Sequence, residues 1–441
     1  MASTDAACPA GKYPLDGISV IECGEGVSAA FAAKLMADLG AEVIKIEPPS
    51  GDWARRRGPF PGGQPDPEKS GLFIYLNANK IGVTLDLADS GQRTILNRLL
   101  ERADIFIHNC PLNTREQFGI SGKRLSIEYP KLVSGAISPF GDNGPYSGWK
   151  AYELNIVNAG GWAYLSPGSS KFPKLPPLKT FGHVGGFHAG MHACFAVLSA
   201  FWRRLVSGAG EHVEVSAQEC VAAMLELSLV HFTYAGRETS RLGARQAAPW
   251  TIMQCADGHV MVLCLEDDQW RRLAELMGNP EWTTDPLFAD RRSRAENADA
   301  LYALMHDCIH TWRTEDLFRE AQKRRIPLAP VSTMKQLYES SHLSERQYFA
   351  PLNQPGVGEL KIPGCPFKSS AEGWRQSGRA PRLGQHNDAI PGTSAARLKE
   401  RTADLTNCPA SSQGTALAGI RILDLTWVWA GPYCTLQFAH M

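Results

Sequence analysis

Residues 18–47 read ISVIECGEGVSAAFAAKLMADLGAEVIKIE, and this stretch constrains the fold more than any other. A short β-branched run, Ile18 to Cys23, meets a glycine-containing turn and then a helical segment. Phe31, Leu35, Met36 and Leu39 share one helical face, with Ser28 as N-cap candidate and Gly40 at the C′ position. AEVIKIE, residues 41–47, follows as a second strand. Such a βαβ unit has parallel strands and a right-handed crossover.

The pattern continues. GVTLDL (82–87), ADIFIHN (103–109) and KLVSGAIS (131–138) read as further strands, with amphipathic helix such as GQRTILNRLLERA (91–103) between them. Residues 1–225 therefore predict an α/β, Rossmann-like, doubly wound parallel sheet, closed by a long apolar helix that ends at Gly208. From about residue 245 the texture changes. APWTIMQCADGHVMVLCL reads as a β-hairpin around a D-G turn, and polar helices follow, so 226–328 form a smaller α+β domain. Residues 329–388 return to the large domain, and 389–415, rich in Ser, Thr, Ala and Pro, form a linker.

An internal repeat closes the chain. LAGIRILDLTWVWAGPYCTLQFAHM (417–441) aligns without gaps on LDGISVIECGEGVSAAFAAKLMADL (15–39), with Asp424 on Glu22. A strand and half-built helix with no following strand have nothing to bury their apolar face against. The expectation is a tandem protein whose second lobe begins at 416 and is truncated at 441.

Composition narrows the function. Forty-five basic and 45 acidic residues give zero formal net charge, which argues against a nucleic-acid binder. Eleven cysteines lie scattered with no C-x-x-C pair, which predicts reduced thiols rather than a disulfide framework. No secretory signal is visible, and no uncharged apolar stretch reads as long enough to span a bilayer, so the expectation is a cytoplasmic protein.

The first loop spells Gly24-Glu25-Gly26-Val27-Ser28-Ala29, a G-x-G-x-x-A after a strand, and Glu47 lies about where a ribose-binding acid would sit. That is the basis of an oxidoreductase alternative. The repeat weighs against it, because Gly24 and Gly26 become Thr426 and Val428 while strand and helix survive. His188 and His192 are i,i+4, but no carboxylate or thiolate stands at ligand spacing, so packing histidines are expected and no metal. Arginines 55–57 read as a solvated loop.

The ordered set PLDGISVIE, LMADLGAEVIKIEPPSGD, NANKIGVTLDLADSGQ, NAGGW, GAGEHVEVSAQE, DGHVMV, RRIPLAPVSTMKQL, IPGCPFK and APRLGQHND resembles the class III CoA-transferases, the family of formyl-CoA and crotonobetainyl/carnitine CoA-transferases and α-methylacyl-CoA racemase. The resemblance runs from about residue 14 to 388. It implies a Rossmann-like large domain with a small domain inserted, and an interlocked homodimer. It also implies movement of CoA from an acyl-CoA donor to a carboxylic acid acceptor, without metal or NAD. An aspartate in a G-D-x-x-(S/T/G)-G loop attacks the thioester, and racemases use it as acid/base.

Here that segment is Gly182-His183-Val184-Gly185-Gly186, so His183 stands at the nucleophile's position. Glu153, in Lys150-Ala-Tyr152-Glu153, is placed near the reaction centre, and Val27, Asn77, Asn79, Asn109 and Lys150 are placed at CoA. Departures accompany His183: Cys110, Gln117 and Pro48 stand at family CoA-contacting positions, and the glycine-rich flap is reduced to Gly243 and Gln246. The second copy instead keeps the family's turn as Ala430-Gly431-Pro432. The resemblance thus implies a CoA-transferase whose first lobe is degenerate, with a non-catalytic CoA-binding lobe or a racemase-like enzyme as alternatives.

Overall fold

The computed structural model describes residues 13–166, 174–241, 247–371, 373–375, 378–389 and 415–441. The chain divides into two compact units. The first comprises Met1–Trp162, Lys179–Leu225 and Tyr348–Met441, and the second Ala163–Leu178 and Glu226–Gln347.

The first unit alternates strand and helix as the periodicity predicts. Its elements are β1 (Ser19–Cys23), α1 (Ser28–Asp38), β2 (Glu42–Glu47), α2 (Gly71–Asn77), β3 (Ile81–Thr84), α3 (Ser90–Leu100), β4 (Ile105–His108), α4 (Leu112–Phe118), α5 (Gly122–Glu128), β5 (Val133–Ser138), α6 (Glu153–Ala159), α7 (Val184–Ser207), β6 (His212–Ser216) and α8 (Ala217–Ala222). The six strands make one sheet in the order β3-β2-β1-β4-β5-β6, every neighbouring pair parallel. This is the doubly wound order of dinucleotide-type folds.

Strand alternation sends successive side chains to opposite faces. Val20, Val43, Ile105 and Ile107 pack under α1, α7 and α8. Ile21, Ile44, Ile46 and Phe106 pack under Leu96, Leu99 and Leu100 of α3 and Leu125 of α5. Each such side chain contributes about 1.5–3 kcal/mol on full burial, so both helix layers are held by apolar area.

α7 corrects one sequence expectation. It is long and apolar enough to cross a membrane by length and composition. It is instead a core helix: Ala189, Ala193, Val197 and Phe201 lie buried against the sheet and α1. The approach of α1 to α7 is close, since a Cβ built on Gly190 would stand 2.5 Å from the Ser28 carbonyl oxygen.

The second unit holds α9 (Glu226–Ala235), the antiparallel hairpin β7 (Trp250–Gln254) and β8 (His259–Leu263), and the helices α10 (Asp267–Leu276), α11 (Arg291–Glu296), α12 (Ala298–Ile309) and α13 (Thr314–Lys323). β9 (Leu328–Pro330) then pairs antiparallel with β8. That pairing keeps residues 329–347, with α14 (Met334–Tyr338) and α15 (Ser341–Glu345), in the second unit, so the return begins at Tyr348 rather than 329. Its core is built on Trp270, Leu273, Met305 and Leu317.

The return segment forms a hairpin of β10 (Phe349–Gln354) and β11 (Gly358–Pro363). It then reaches β3, where the Gly82 N–H donates to His386 Nδ1 at 3.0 Å. Most of the expected linker, residues 390–414, lies outside the described residues.

The terminal repeat keeps its local backbone. α16 (Ala430–Ala439) falls where the alignment on α1 puts it, and the Ile420 N–H donates to Leu417 as that of Ile18 does to Leu15, both at 3.0 Å. Residues 420–425 pair with no strand among the described residues, and Leu425 is 85% exposed where its counterpart Cys23 is 5%.

Gly190 offers a direct test of the α1–α7 packing. In an open helix, Gly→Ala stabilises by about 1 kcal/mol. At Gly190 the methyl meets backbone that cannot yield, so Gly190→Ala is expected to cost about 1–3 kcal/mol in urea unfolding. A variant as stable as the parent would contradict the packing.

Candidate functional site

In a doubly wound sheet, ligands bind beyond the C-terminal ends of the strands where the winding reverses. Here that point lies between β1 and β4. β1 runs into the Gly24–Val27 loop, and β4 runs into Asn109. The Asn109 amide joins the two: its Oδ1 accepts from the Glu25 N–H at 3.0 Å, and its Nδ2 donates to the Glu25 carbonyl at 2.8 Å and to Ser28 Oγ at 3.1 Å. Gly24 is required for this, since a Cβ there would stand 2.1 Å from Asn109 Oδ1. Ser28 is the first helical residue rather than the N-cap; Val27 holds that position, so no side chain caps α1. Amides at an uncapped helix start favour a negatively charged or oxygen-rich group.

A buried ion network supports the loop from beneath. Glu22 of β1, wholly enclosed, accepts from Lys45 of β2 at 2.9 Å and from Lys80 at 2.7 Å. Burial alone would raise the Glu22 carboxyl, but the two lysines outweigh it and hold it below the usual glutamate range. Lys45 also pairs with Asp52 at 2.9 Å and donates to the Gly24 carbonyl at 3.2 Å. Asp52 Oδ1 accepts from the Gly26 N–H at 2.8 Å.

Glu47 and Arg55 extend this network, and both differ from expectation. Glu47 takes Arg55 in a bidentate pair with both contacts at 2.7 Å, so its carboxylate is engaged inside the protein rather than facing a ribose. Arg55 is 2% exposed and lies over the Phe73 ring, so only Arg56 and Arg57 fit the picture of a solvated run.

The opposite wall is the start of α7. His183 occupies the N-cap position, half-buried, and its side chain makes no cap hydrogen bond. Its ring centroid lies 6.0 Å from that of Trp53. The first-turn amides are taken by Glu153: Gly185 N–H donates to Oε1 at 2.7 Å and Gly186 N–H to Oε2 at 3.0 Å. Val27 packs on this turn, since a Cβ on Gly186 would meet it at 3.1 Å. Glu25, whose Oε2 accepts from the Trp53 N–H at 3.2 Å, is raised by burial and by the nearby Asp52 charge.

The fold thus gathers Val27, Asn109, His183 and Glu153 at one edge, with Lys150 exposed on the preceding loop. Asn77 and Asn79 are not part of it. Asn77 is fully buried, donating to the Phe73 carbonyl and accepting from Lys80. Asn79 donates to Asp38, at the far end of α1, roughly 16 Å along that helix from the Gly24 loop at 1.5 Å per residue.

Gly243 and Gln246 lie outside the described residues. His188 and His192 are lowered by burial, and no cluster of three or more metal-ligating side chains is present among the described residues. Trp53 and Asp52 were not anticipated. The signal for Asp52 was an acidic residue before a helical W-A-R-R, the pattern of an N-cap.

Comparison with known proteins identifies the family. Succinyl-CoA:mesaconate CoA-transferase of Haloarcula hispanica is 27% identical over 397 residues, covering 87% of this chain and 98% of the relative. Succinyl-CoA–D-citramalate CoA-transferase of Chloroflexus aurantiacus is 31% identical over 385 residues, covering 86% and 93%. The crystal structure of a CaiB/BaiF family protein from Brucella suis superposes with a TM-score of 0.76 at 27% identity, covering 86% of this chain and 99% of that one. The profile of CoA-transferase family III matches residues 15–387, and the chain belongs to that family of enzymes.

Proposed function

We propose that this chain takes part in CoA transfer from an acyl-CoA thioester to a carboxylic acid, with the first unit binding CoA and lacking the family's nucleophile. The observation that carries this reading is His183 at the N-cap of α7, where the resemblance puts an aspartate. A carboxylate works there because it is a good leaving group in both directions, so anhydride and thioester intermediates form and collapse in turn. An acylated imidazole hydrolyses readily and cannot repeat that relay. Glu153 does not replace it: both its oxygens accept backbone N–H groups, so the side chain is engaged in orienting the turn.

In this reading the CoA moiety lies along the uncapped start of α1, against Val27 and Asn109, with Lys150 reaching its phosphates. The thioester faces His183 and Glu153. The names of the relatives point to succinyl-CoA as donor and a short dicarboxylic acid as acceptor. The working carboxylate comes from a second unit of the same fold in a duplicated polypeptide, because a second copy of this chain would bring another His183. The 417–441 repeat, with its α1-like helix, supports that source.

One observation favours a second reading. An imidazole at an acid/base position suits proton transfer α to a thioester carbonyl, as in the racemases. Exchange of the α-hydrogen of 2-methylacyl-CoA in D2O would report it.

The decisive variant is His183→Asp. Incubated with succinyl-CoA and mesaconate or D-citramalate, it is expected to raise CoA transfer at least about tenfold over the parent chain. It should also form a hydroxylamine-sensitive acyl adduct that the parent lacks. If the parent is active and His183→Ala abolishes transfer by several orders of magnitude, the imidazole is itself catalytic and the reading fails.

Glu153 gives a separate prediction. Glu153→Ala leaves two part-buried amides without their acceptor and is expected to cost about 1–3 kcal/mol in urea unfolding. Glu153→Gln, which keeps one acceptor, should cost less.

A further inference from the structure

We propose that Cys23 and Cys110 are a peroxide-sensitive thiol pair whose disulfide joins the β1 and β4 loops at the floor of the crevice. Cys23 is the last residue of β1, in register with His108 at the end of β4, and Cys110 follows two residues later. Their sulfurs stand 3.9 Å apart, and the Cys110 thiol lies 3.7 Å from the Cys23 carbonyl. A disulfide requires about 2.05 Å, so loop movement of roughly 2 Å closes the bond. Both thiols are free and buried, with Cys110 the more accessible at 8%.

Arg115 Nε donates to the Cys110 carbonyl at 2.9 Å, which brings a guanidinium beside Cys110 and favours its thiolate as the attacking sulfur. Cys110 is held well below the ordinary thiol range, first by hydrogen bonding from Cys23 and then by His108 and the Arg115 guanidinium. Cys23 is raised by the same hydrogen bond and by burial. Burial pushes Cys194, Cys220 and Cys264 up to about 12, so those thiols stay protonated and unreactive.

The chemistry balances with a hydroperoxide as oxidant. The Cys110 thiolate attacks the terminal peroxide oxygen; an S–O bond forms, the O–O bond breaks, and the leaving alkoxide or hydroxide takes up a proton. The Cys23 thiol then attacks the sulfenic sulfur. The S–S bond forms, the S–O bond breaks, and the hydroxide departs as water with the Cys23 proton. Two thiols and one peroxide give one disulfide, one alcohol or water, and one water; a dithiol reverses it.

Between the sulfurs' two loops sits Asn109, whose amide already bridges to Glu25 and Ser28. Drawing Cys110 toward Cys23 shifts Asn109 against the Gly24 loop and narrows the crevice. Resting on the proposed CoA site, this leads to CoA binding at least about tenfold weaker in the oxidised protein.

The test uses the whole chain, treated with hydrogen peroxide under native conditions, alkylated and analysed by peptide mass spectrometry. A Cys23–Cys110 linked peptide that forms before the exposed Cys434 oxidises, and that dithiothreitol removes, is the expected result. Oxidation of Cys434 and Cys308 with Cys23 and Cys110 still alkylated would overturn the pair. Calorimetry with CoA on reduced and oxidised protein forms the second arm. Equal affinity in the two states overturns the effect on binding. A reduced protein that binds no CoA counts against the proposed function, while the peptide map still decides the disulfide.

Discussion

The Glu22 carboxylate, enclosed at the centre of the sheet and shared by Lys45 and Lys80, is the interaction on which the rest of the first unit depends. Removing such ions from water costs several kcal/mol each, and only full pairing offsets it. The pairing is therefore all-or-none, and it joins β1, β2 and the segment before β3 at one point. Through Lys45 and Asp52 the same network reaches the Gly24 carbonyl and the Gly26 amide. The loop beyond β1 is thus positioned by buried charge, and Asn109 and the start of α7 are arranged around it. Held this way in the reduced protein, the loop presents its amides in a fixed arrangement, which suits the accurate placement of a bound group.

Much of this was legible in the sequence, because βαβ patterning is local. The β-branched runs and the helix between them follow period rules that a single chain displays, and the doubly wound sheet follows from their order. The network was not legible. Lys45 and Lys80 stand 23 and 58 residues from Glu22, so their pairing exists only once the strands are side by side. Arg55 read as solvated for the same reason: its partner Glu47 is brought to it by the turn after β2. α7 shows the limit of composition, since an apolar helix reads alike whether lipid or protein surrounds it. Asn77 and Asn79 came from position within a family-like segment, which says nothing about which end of the sheet a side chain reaches.

His183 stands apart from these cases. In the proposed reading its loop keeps the glycines and the helix start of a nucleophile loop, and Glu153 holds the first-turn amides. In that reading one functional group differs. Scaffold and chemistry are separable here, because the turn is held by the Glu153 carboxylate on two backbone N–H groups, which does not depend on the side chain at 183. In the terminal repeat, likewise, helix and turn form although residues 420–425 pair with no strand among the described residues.

In the proposed reading CoA occupies the edge between β1, β4 and the start of α7. Hydrogen–deuterium exchange with saturating CoA tests it most directly. Slowed exchange is expected at the amides of residues 24–28 and in the first turn of α7, with the β10–β11 hairpin unchanged. Unaltered exchange at residues 24–28, or protection confined to the hairpin, would contradict it.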